Sequence, residues 1–418
     1  MSDSMSQPDR ILALLEKYGR NLHSFMVLEP GLSVWCMEDA AVAYTERGGY
    51  WVAVGGPLCA PNQTASVASA FREAASKAGC KAVFFGVTKP LVDRLQSPQA
   101  QGAGEIHGKL NRARQVESDF DSLQIGLAAV WDPTQWHEVV RGAEKLRNRL
   151  SKARRSGIRV RLLDVEEVAE DSPMRERLIG VVDAWAAQKA LPAMGFMVTV
   201  ELFQHADRRR YFVVELAEKV QGFAVCVPIY GRHGWLLEDM MMLPQSLAGC
   251  GEALVDAVMR QLSDEGAELV SLGMVALAGL DRGDQKGRHP LLTGLLRFCG
   301  RRMGWLYNFE GLYRFRNKLK PLTWEPVYLV SSGPVTFWTI RAVLMAFAKG
   351  WIPRFAVRVL GRWAQQWFRG GSHGTFRRKL VDIPVVLIAL VCVSATALAV
   401  TEAYRGWLPG WAGTGSGP

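Results

Sequence analysis

Asp239 lies, beside Glu238, in an otherwise apolar run, residues 235–242. Burial at such a position raises a carboxyl's pKa, and a carboxyl titrating near neutrality can take the proton of an attacking hydroxyl. A plain strand-edge carboxylate paired with a nearby arginine would look the same in sequence. Glu238, one residue earlier, is expected on the opposite strand face. Arg316, Lys318 and Lys320 form the best cationic counterpart. On an extended segment all three share a side, and on a helix Arg316 and Lys320 do; a solvated basic edge is the simpler alternative. Arg147, Arg149, Lys152, Arg154 and Arg155 crowd a predicted helix, where they could grip phosphates or merely face water. Gly249-Cys250-Gly251 precedes another predicted helix, as a phosphate-holding turn or an ordinary cap. The seven cysteines are scattered, with no C-x-x-C pair and no nearby histidine, so no metal site is expected and the thiols read as reduced and mostly buried.

These residues need a scaffold, and the chain has material for one. Its 418 residues are 49% hydrophobic and 22% charged, which excludes a disordered chain and allows two or three folded units. Short β-prone runs flank Gly48-Gly49 and predict a hairpin, followed by a helix over 64–78 and a buried strand over 81–87. Residues 99–115, rich in Gly, Gln and charge, read as a loop. Farther on, 144–156 predicts a basic helix and 158–163 a strand. A helix over 174–189, strands over 212–216, 222–229 and 235–242, a helix over 251–264 and a strand over 269–274 complete the body. Two successive mixed α/β units without a regular βαβ repeat suggest duplicated lobes.

The net charge of +10 is unevenly placed. Residues 331–381 hold nine Lys or Arg and no acid, which leaves +2 for residues 1–330. Residues 337–369 interleave Trp and Phe with cations, as interfacial helices do, although such a stripe could also dock on the body. Residues 383–400 are eighteen uncharged, mostly apolar positions, roughly 27 Å as a helix, enough to span a bilayer core. Arg377, Arg378 and Lys379 precede that span and only Arg405 follows it, so the positive-inside rule puts the body in the cytoplasm. The first residues carry neither a positive n-region nor an apolar h-region, so no secretory leader is expected.

Several patterns resemble the catalytic domain of phosphatidylglycerol lysyl- and alanyltransferases, in the same order along the chain. Tyr44 with Val54-Gly55-Gly56-Pro57, the basic Leu146-Arg147-Asn148 helix with Arg154 and Gly157, Met194-Gly195-Phe196, and Leu272-Gly273-Met274 each have a counterpart. The most specific is Tyr307-Asn308-Phe309-Glu310-Gly311-Leu312, running into Phe315-Arg316-Asn317-Lys318-Leu319-Lys320-Pro321 and Trp324-Glu325-Pro326-Val327-Tyr328-Leu329. There are departures: Gly126-Leu127-Ala128-Ala129 stands where the family has Gly-Glu-Glu-Ala, and Asp239-Met240-Met241-Met242 keeps the acid of Asp-Leu-Met-Arg but loses its arginine.

The resemblance implies an α/β (α+β) fold of two tandem GNAT-like acyltransferase lobes, residues 1–130 and a catalytic 131–330. A basic membrane-interface segment over 331–380, a transmembrane helix over 381–402 and a short external tail over 403–418 follow. It further implies a bacterial cytoplasmic-membrane enzyme that moves an aminoacyl group from aminoacyl-tRNA to a lipid hydroxyl and needs no cofactor. Asp239, Lys318 and Arg316 would be catalytic, and Arg147, Arg154, Tyr307, Glu310 and Lys320 would bind substrate. Two alternatives stay open: a coenzyme A-dependent N-acyltransferase using Gly249 and Gly251 for acyl-coenzyme A, and a catalytically degenerate lipid-binding module.

Overall fold

The computed structural model describes residues 6–96, 120–187, 202–280, 289–302 and 309–348, all within one compact unit. Met194, Gly195, Phe196 and Tyr307 lie outside the described residues, as do the predicted span and most of the basic segment before it. No helix among the described residues is long and apolar enough to cross a membrane.

In chain order the elements are α1 (Gln7–Tyr18), β1 (Ser33–Met37), β2 (Ala40–Arg47), β3 (Tyr50–Val54), α2 (Thr64–Lys77), β4 (Lys81–Thr88), α3 (Lys89–Gln96) and β5 (Phe120–Trp131). Next come α4 (Trp136–Gly142), α5 (Glu144–Arg155), β6 (Ile158–Leu163), α6 (Pro173–Ala187), β7 (Arg210–Leu216), β8 (Lys219–Ile229) and β9 (Gly234–Met242). α7 (Cys250–Asp264), β10 (Leu269–Ala276), α8 (Pro290–Arg302), α9 (Phe309–Lys318), β11 (Thr323–Ser332) and α10 (Phe337–Phe347) follow.

The strands form one mixed sheet in the order β1-β2-β3-β4-β11-β5-β10-β9-β8-β7-β6. Its two halves repeat a motif. β1-β2-β3 is an antiparallel meander and α2 crosses over to β4, parallel to β3; β7-β8-β9 is a second meander and α7 crosses over to β10, parallel to β9. The halves then exchange strands. β5 pairs antiparallel with β10 of the later half, β11 pairs with β4 of the earlier half, and β5 and β11 pair with each other at the centre. The fold is therefore the mixed α/β architecture expected, with the two halves joined through shared strands.

Strand alternation sorts the core into layers. On β8, Ala224 and Cys226 face α5 and α7, whereas Val227 and Ile229 face the layer that holds α1 and α10. Residues Ala342, Val343 and Ala346 of α10 are buried in that second layer beside β2 and β3. The stretch 337–347 thus docks on the body, the alternative to an interfacial helix that its sequence left open. Gly48 and Gly49 take φ of +57° and +77° between β2 and β3, values an L side chain adopts only with strain, and they close the predicted hairpin.

Candidate active site at the parting of two strands

β9 and β10 run parallel only from Gly234/Leu269 to Leu236/Ser271; beyond that point β9 continues with β8 and β10 with β5. Two neighbouring strands that leave each other's register open a gap in the sheet. Ser271 shapes the β10 side: its hydroxyl donates to the Ala129 carbonyl at 2.9 Å and accepts from the Gly273 N–H at 3.1 Å. Gly273, at φ +75°, makes room there. A Cβ at this position would lie 3.5 Å from Leu236 Cδ1 and 3.9 Å from an Arg316 guanidinium nitrogen, so Arg316 is brought over the parting.

Asp239 lies on β9, three residues past its last pair with β10. It pairs with Val225, and Leu237 pairs with the next residue, Cys226, which leaves Glu238 as the extra residue of a β-bulge. Simple alternation, which would send Glu238 to the opposite face, fails at such a bulge. Both acids therefore act on one buried group. Arg209, with 1% of its side chain exposed, donates to Glu238 at 2.5 Å, to Glu29 at 2.9 Å and to the Gln204 carbonyl at 2.8 Å, and its guanidinium stacks 5.0 Å from the Phe25 ring. Burial, and next the Glu238 carboxylate, push Asp239 up to about 7; Arg209 pulls it down and Glu29 adds to the rise. A carboxyl of this kind can exchange a proton at neutral pH.

Lys318 is placed differently from the expectation. It donates to Glu252, a buried acid in the first turn of α7, and its ammonium sits 5.2 Å from the Phe315 ring. Arg149 reaches the same carboxylate at 3.3 Å. Glu252, Phe315 and Leu319 belong to the α7 layer, whereas Arg209 and Glu29 share the layer of Phe25. Among the described residues no ion pair joins Lys318 to Asp239. α9 ends at Lys318, and Lys320 lies beyond it, exposed and at φ +54°, so Arg316 and Lys320 share no helical face. Glu310 is exposed and pairs with Arg314.

Gly249 caps α7 at φ +110° and Gly251 falls in its first turn, packed near Phe315. The Glu252 carboxylate occupies the positive end of that helix, with Arg149 and Lys318 already drawn to it. Arg147 and Arg154 are exposed on α5 and line a hollow of about 190 Å³ with His137, Arg141, Ser151 and Arg260. Arg154 and Arg260 both contact Asp256, a buried acid that also accepts from the Trp136 indole at 2.8 Å. Arg209, Glu29, Glu252, Asp256 and Arg260 were not singled out from sequence, because nothing local separates a buried charge from the surface charges around it. Among the described residues no cluster of metal-ligating side chains occurs. Cys59, Cys80, Cys226 and Cys250 are buried free thiols and Cys36 is half-buried.

The family model described as phosphatidylglycerol lysyltransferase, C-terminal, matches residues 12–331. An uncharacterized protein of Corynebacterium glutamicum is 25% identical over 74% of this chain and 37% of its own length. The lysylphosphatidylglycerol biosynthesis bifunctional protein LysX of Mycolicibacterium vanbaalenii is 27% identical over 76% of this chain and 27% of its own length. The chain thus spans only 27–37% of the length of these curated relatives. Among solved structures, the C-terminal domain of a protein described as a lysylphosphatidylglycerol synthetase from Agrobacterium fabrum superposes with a TM-score of 0.66 at 20% identity, covering 82% of this chain and 97% of that one. The structure of L-PGS from Bacillus licheniformis gives 0.61 at 18% identity, covering 81% and 95%. At these identities the structural likeness establishes the fold.

Proposed function

The chain belongs to the phosphatidylglycerol lysyltransferase C-terminal family, and from that premise we propose that it moves an aminoacyl group from aminoacyl-tRNA to a hydroxyl of a membrane lipid. The family match over residues 12–331, which takes in almost the whole described body, carries this reading. In the reaction the lipid hydroxyl attacks the ester carbonyl, the ester bond to the tRNA ribose breaks, and the released ribose oxygen takes up a proton. Asp239, near neutrality in its pKa, would accept the proton of the attacking hydroxyl and return it to the leaving oxygen. Arg316, beside the parting of β9 and β10, would stabilise the charge that develops on the carbonyl oxygen. Lys318 would serve by holding Glu252 and the start of α7. Tyr307, Glu310 and Lys320 remain candidates for the substrate's edge on the strength of the motif alone.

The basic segment and the apolar span over 383–400 would anchor this body to the cytoplasmic face of a bacterial inner membrane. Under that orientation a reporter fused after Pro418 is active only outside the cytoplasm. A second reading, coenzyme A-dependent acylation of an amine, draws on the Gly249 cap ahead of α7, and the acid at position 252 weighs against it because it already fills the anion-favouring helix end.

One experiment separates these readings. Purified full-length protein in mixed micelles with phosphatidylglycerol is supplied with aminoacyl-tRNA or with acyl-coenzyme A, and lipids and amines are analysed by mass spectrometry. The expected product is an aminoacylated lipid whose formation stops when the tRNA is digested first. An acylated amine formed only with the thioester would replace the proposal by the second reading. No product with any donor or lipid would leave a lipid-binding module.

A further inference from the structure

We propose that the hollow between α4, α5 and α7 is a preorganised clamp for the phosphodiester backbone of RNA, with Arg147, Arg154 and Arg260 as its donors and the buried Asp256 as the residue that positions two of them. This rests on the tRNA-dependent reading above and assigns the RNA a place on the protein. The lining holds Arg141, Arg147, Arg154, Arg260 and His137 and no carboxylate. Arg141 is paired with Glu138, so the net balance comes from the other three. With Asp256 subtracted, those three leave two positive charges facing the hollow.

The geometry is that of a held site more than of loose surface charge. Asp256 accepts from Arg154 at 3.2 Å, from the Nε of Arg260 at 3.1 Å and from the buried Trp136 indole at 2.8 Å. Each guanidinium spends one N–H on that carboxylate and keeps others for a ligand, and two anchored planar forks suit phosphate oxygens. Arg147 is fixed in turn by donating to the Arg141 carbonyl at 2.5 Å. A volume of about 190 Å³ is below the range of pockets that enclose a whole small ligand, roughly 300–1,000 Å³. It suits one phosphate of a chain that continues across the surface. Lys145, Lys152 and Arg155 extend the cations along α5, which carries six Lys or Arg and one acid in twelve residues. RNA is favoured over a lipid headgroup by what lies nearby. Insertion into a membrane surface needs apolar side chains, and none of the large exposed ones among the described residues (Val165, Ile179, Leu247, Leu291, Leu295, Phe298, Leu322, Leu344) belongs to α4, α5 or α7.

The test measures the affinity of detergent-solubilised full-length protein for labelled tRNA over a salt series. Two variants are compared with wild type: the double change Arg154→Ala with Arg260→Ala, and Arg147→Glu, which leaves the Asp256 network intact and guards against a folding defect. Affinity at low salt should fall about tenfold for each arginine lost, and the log–log salt slope should become shallower by about 1 for each phosphate contact removed. If folded variants keep the wild-type slope and affinity within twofold while wild type binds tRNA tightly, the clamp is overturned and the donor reading stands. If wild type itself shows no salt-dependent RNA binding, the donor reading falls together with the clamp. If the variants keep tRNA binding but lose capture on phosphatidylglycerol nanodiscs, the hollow serves lipid and the proposal is wrong.

Discussion

Arg209 and Glu29 are 180 residues apart in the chain and 2.9 Å apart in the fold. Glu29 closes a short turn that packs with the first meander, and Arg209 enters β7 of the second. Their ion pair therefore ties the two halves of the sheet at a point shared with Glu238, next to Asp239. Burial works against the guanidinium's charge, and the Glu238 and Glu29 carboxylates more than restore it. A buried cation held by two acids beside a third is an arrangement in which losing the cation leaves the carboxylates uncompensated.

Replacing Arg209 by Met should accordingly destabilise the protein by about 3–5 kcal/mol, because it strands two carboxylates in a low-dielectric site. Urea unfolding of the detergent-solubilised chain measures this. The triple change Arg209→Met, Glu29→Gln, Glu238→Gln should recover most of the loss, since it removes the orphaned charges with their partner. A single Arg209→Met variant as stable as wild type would mean that the group is solvated in solution.

Asp239, if it is the proposed base, should link pH to both activity and stability, with opposite signs. Its pKa is raised from 3.8 to about 7 by burial, Glu238 and Glu29, against Arg209. Between those two values the folded state holds a proton that the unfolded state has released, so stability falls as pH rises from about 4 to about 7 and levels off above. A general base must be ionised, so kcat/KM for lipid aminoacylation should climb through the same region and plateau above about 7. Asp239→Asn should flatten both profiles and lower the rate by about 10²–10⁴-fold. An Asn variant with the wild-type pH–rate profile would remove Asp239 from the chemistry.

Local structure was legible wherever one residue decides it. The Gly48-Gly49 hairpin, the helix at Thr64–Lys77 and the strand Ile158–Leu163 lie where turn residues and periodicity put them. β5 and β11 were missed as strands. Their pairing depends on partners far away in sequence, and β11 carries Glu325 and Pro326, which read as motif residues more readily than as a central strand. The exchange of β5 and β11 between the halves leaves no local trace at all. At the candidate site Asp239 and Arg316 stay as the sequence proposed them, whereas Lys318, expected opposite Asp239, lies against Glu252. The bulge at Glu238 and the burial of Glu252 both arise from packing, and alternation or charge spacing cannot register either one.

Acyl-coenzyme A should not bind the start of α7. The Glu252 carboxylate stands in the first turn, where pyrophosphate would need backbone N–H groups and unspent cations, and Arg149 and Lys318 are committed to it. Titration calorimetry with acetyl-coenzyme A is expected to give no saturable heat. Micromolar binding abolished by Gly251→Asp would bring the amine-acylation reading forward.

Lys318 and Arg316 are two residues apart on α9, and their different surroundings separate their roles. Lys318 donates to buried Glu252, so Lys318→Ala leaves that carboxylate with Arg149 alone and should cost about 1–3 kcal/mol of stability. If the loss comes from the stranded acid, Lys318→Ala combined with Glu252→Gln should be more stable than Lys318→Ala by itself, a coupling that a double-mutant cycle reads directly. Arg316 lies 3.9 Å from the point a Gly273 side chain would occupy, at the parting of β9 and β10, where the ester carbonyl is proposed to react. Arg316→Ala should therefore lower the single-turnover rate by about 10²–10³-fold, the usual effect of losing one group that stabilises developing charge. Arg316→Lys should recover part of it, because the charge returns without the planar fork. The two assays cross-check each other. A Lys318→Ala variant that unfolds at the wild-type midpoint yet turns over a hundredfold more slowly would place Lys318 in the chemistry and Glu252 beside it, and the active centre would then lie on the α7 side of the sheet.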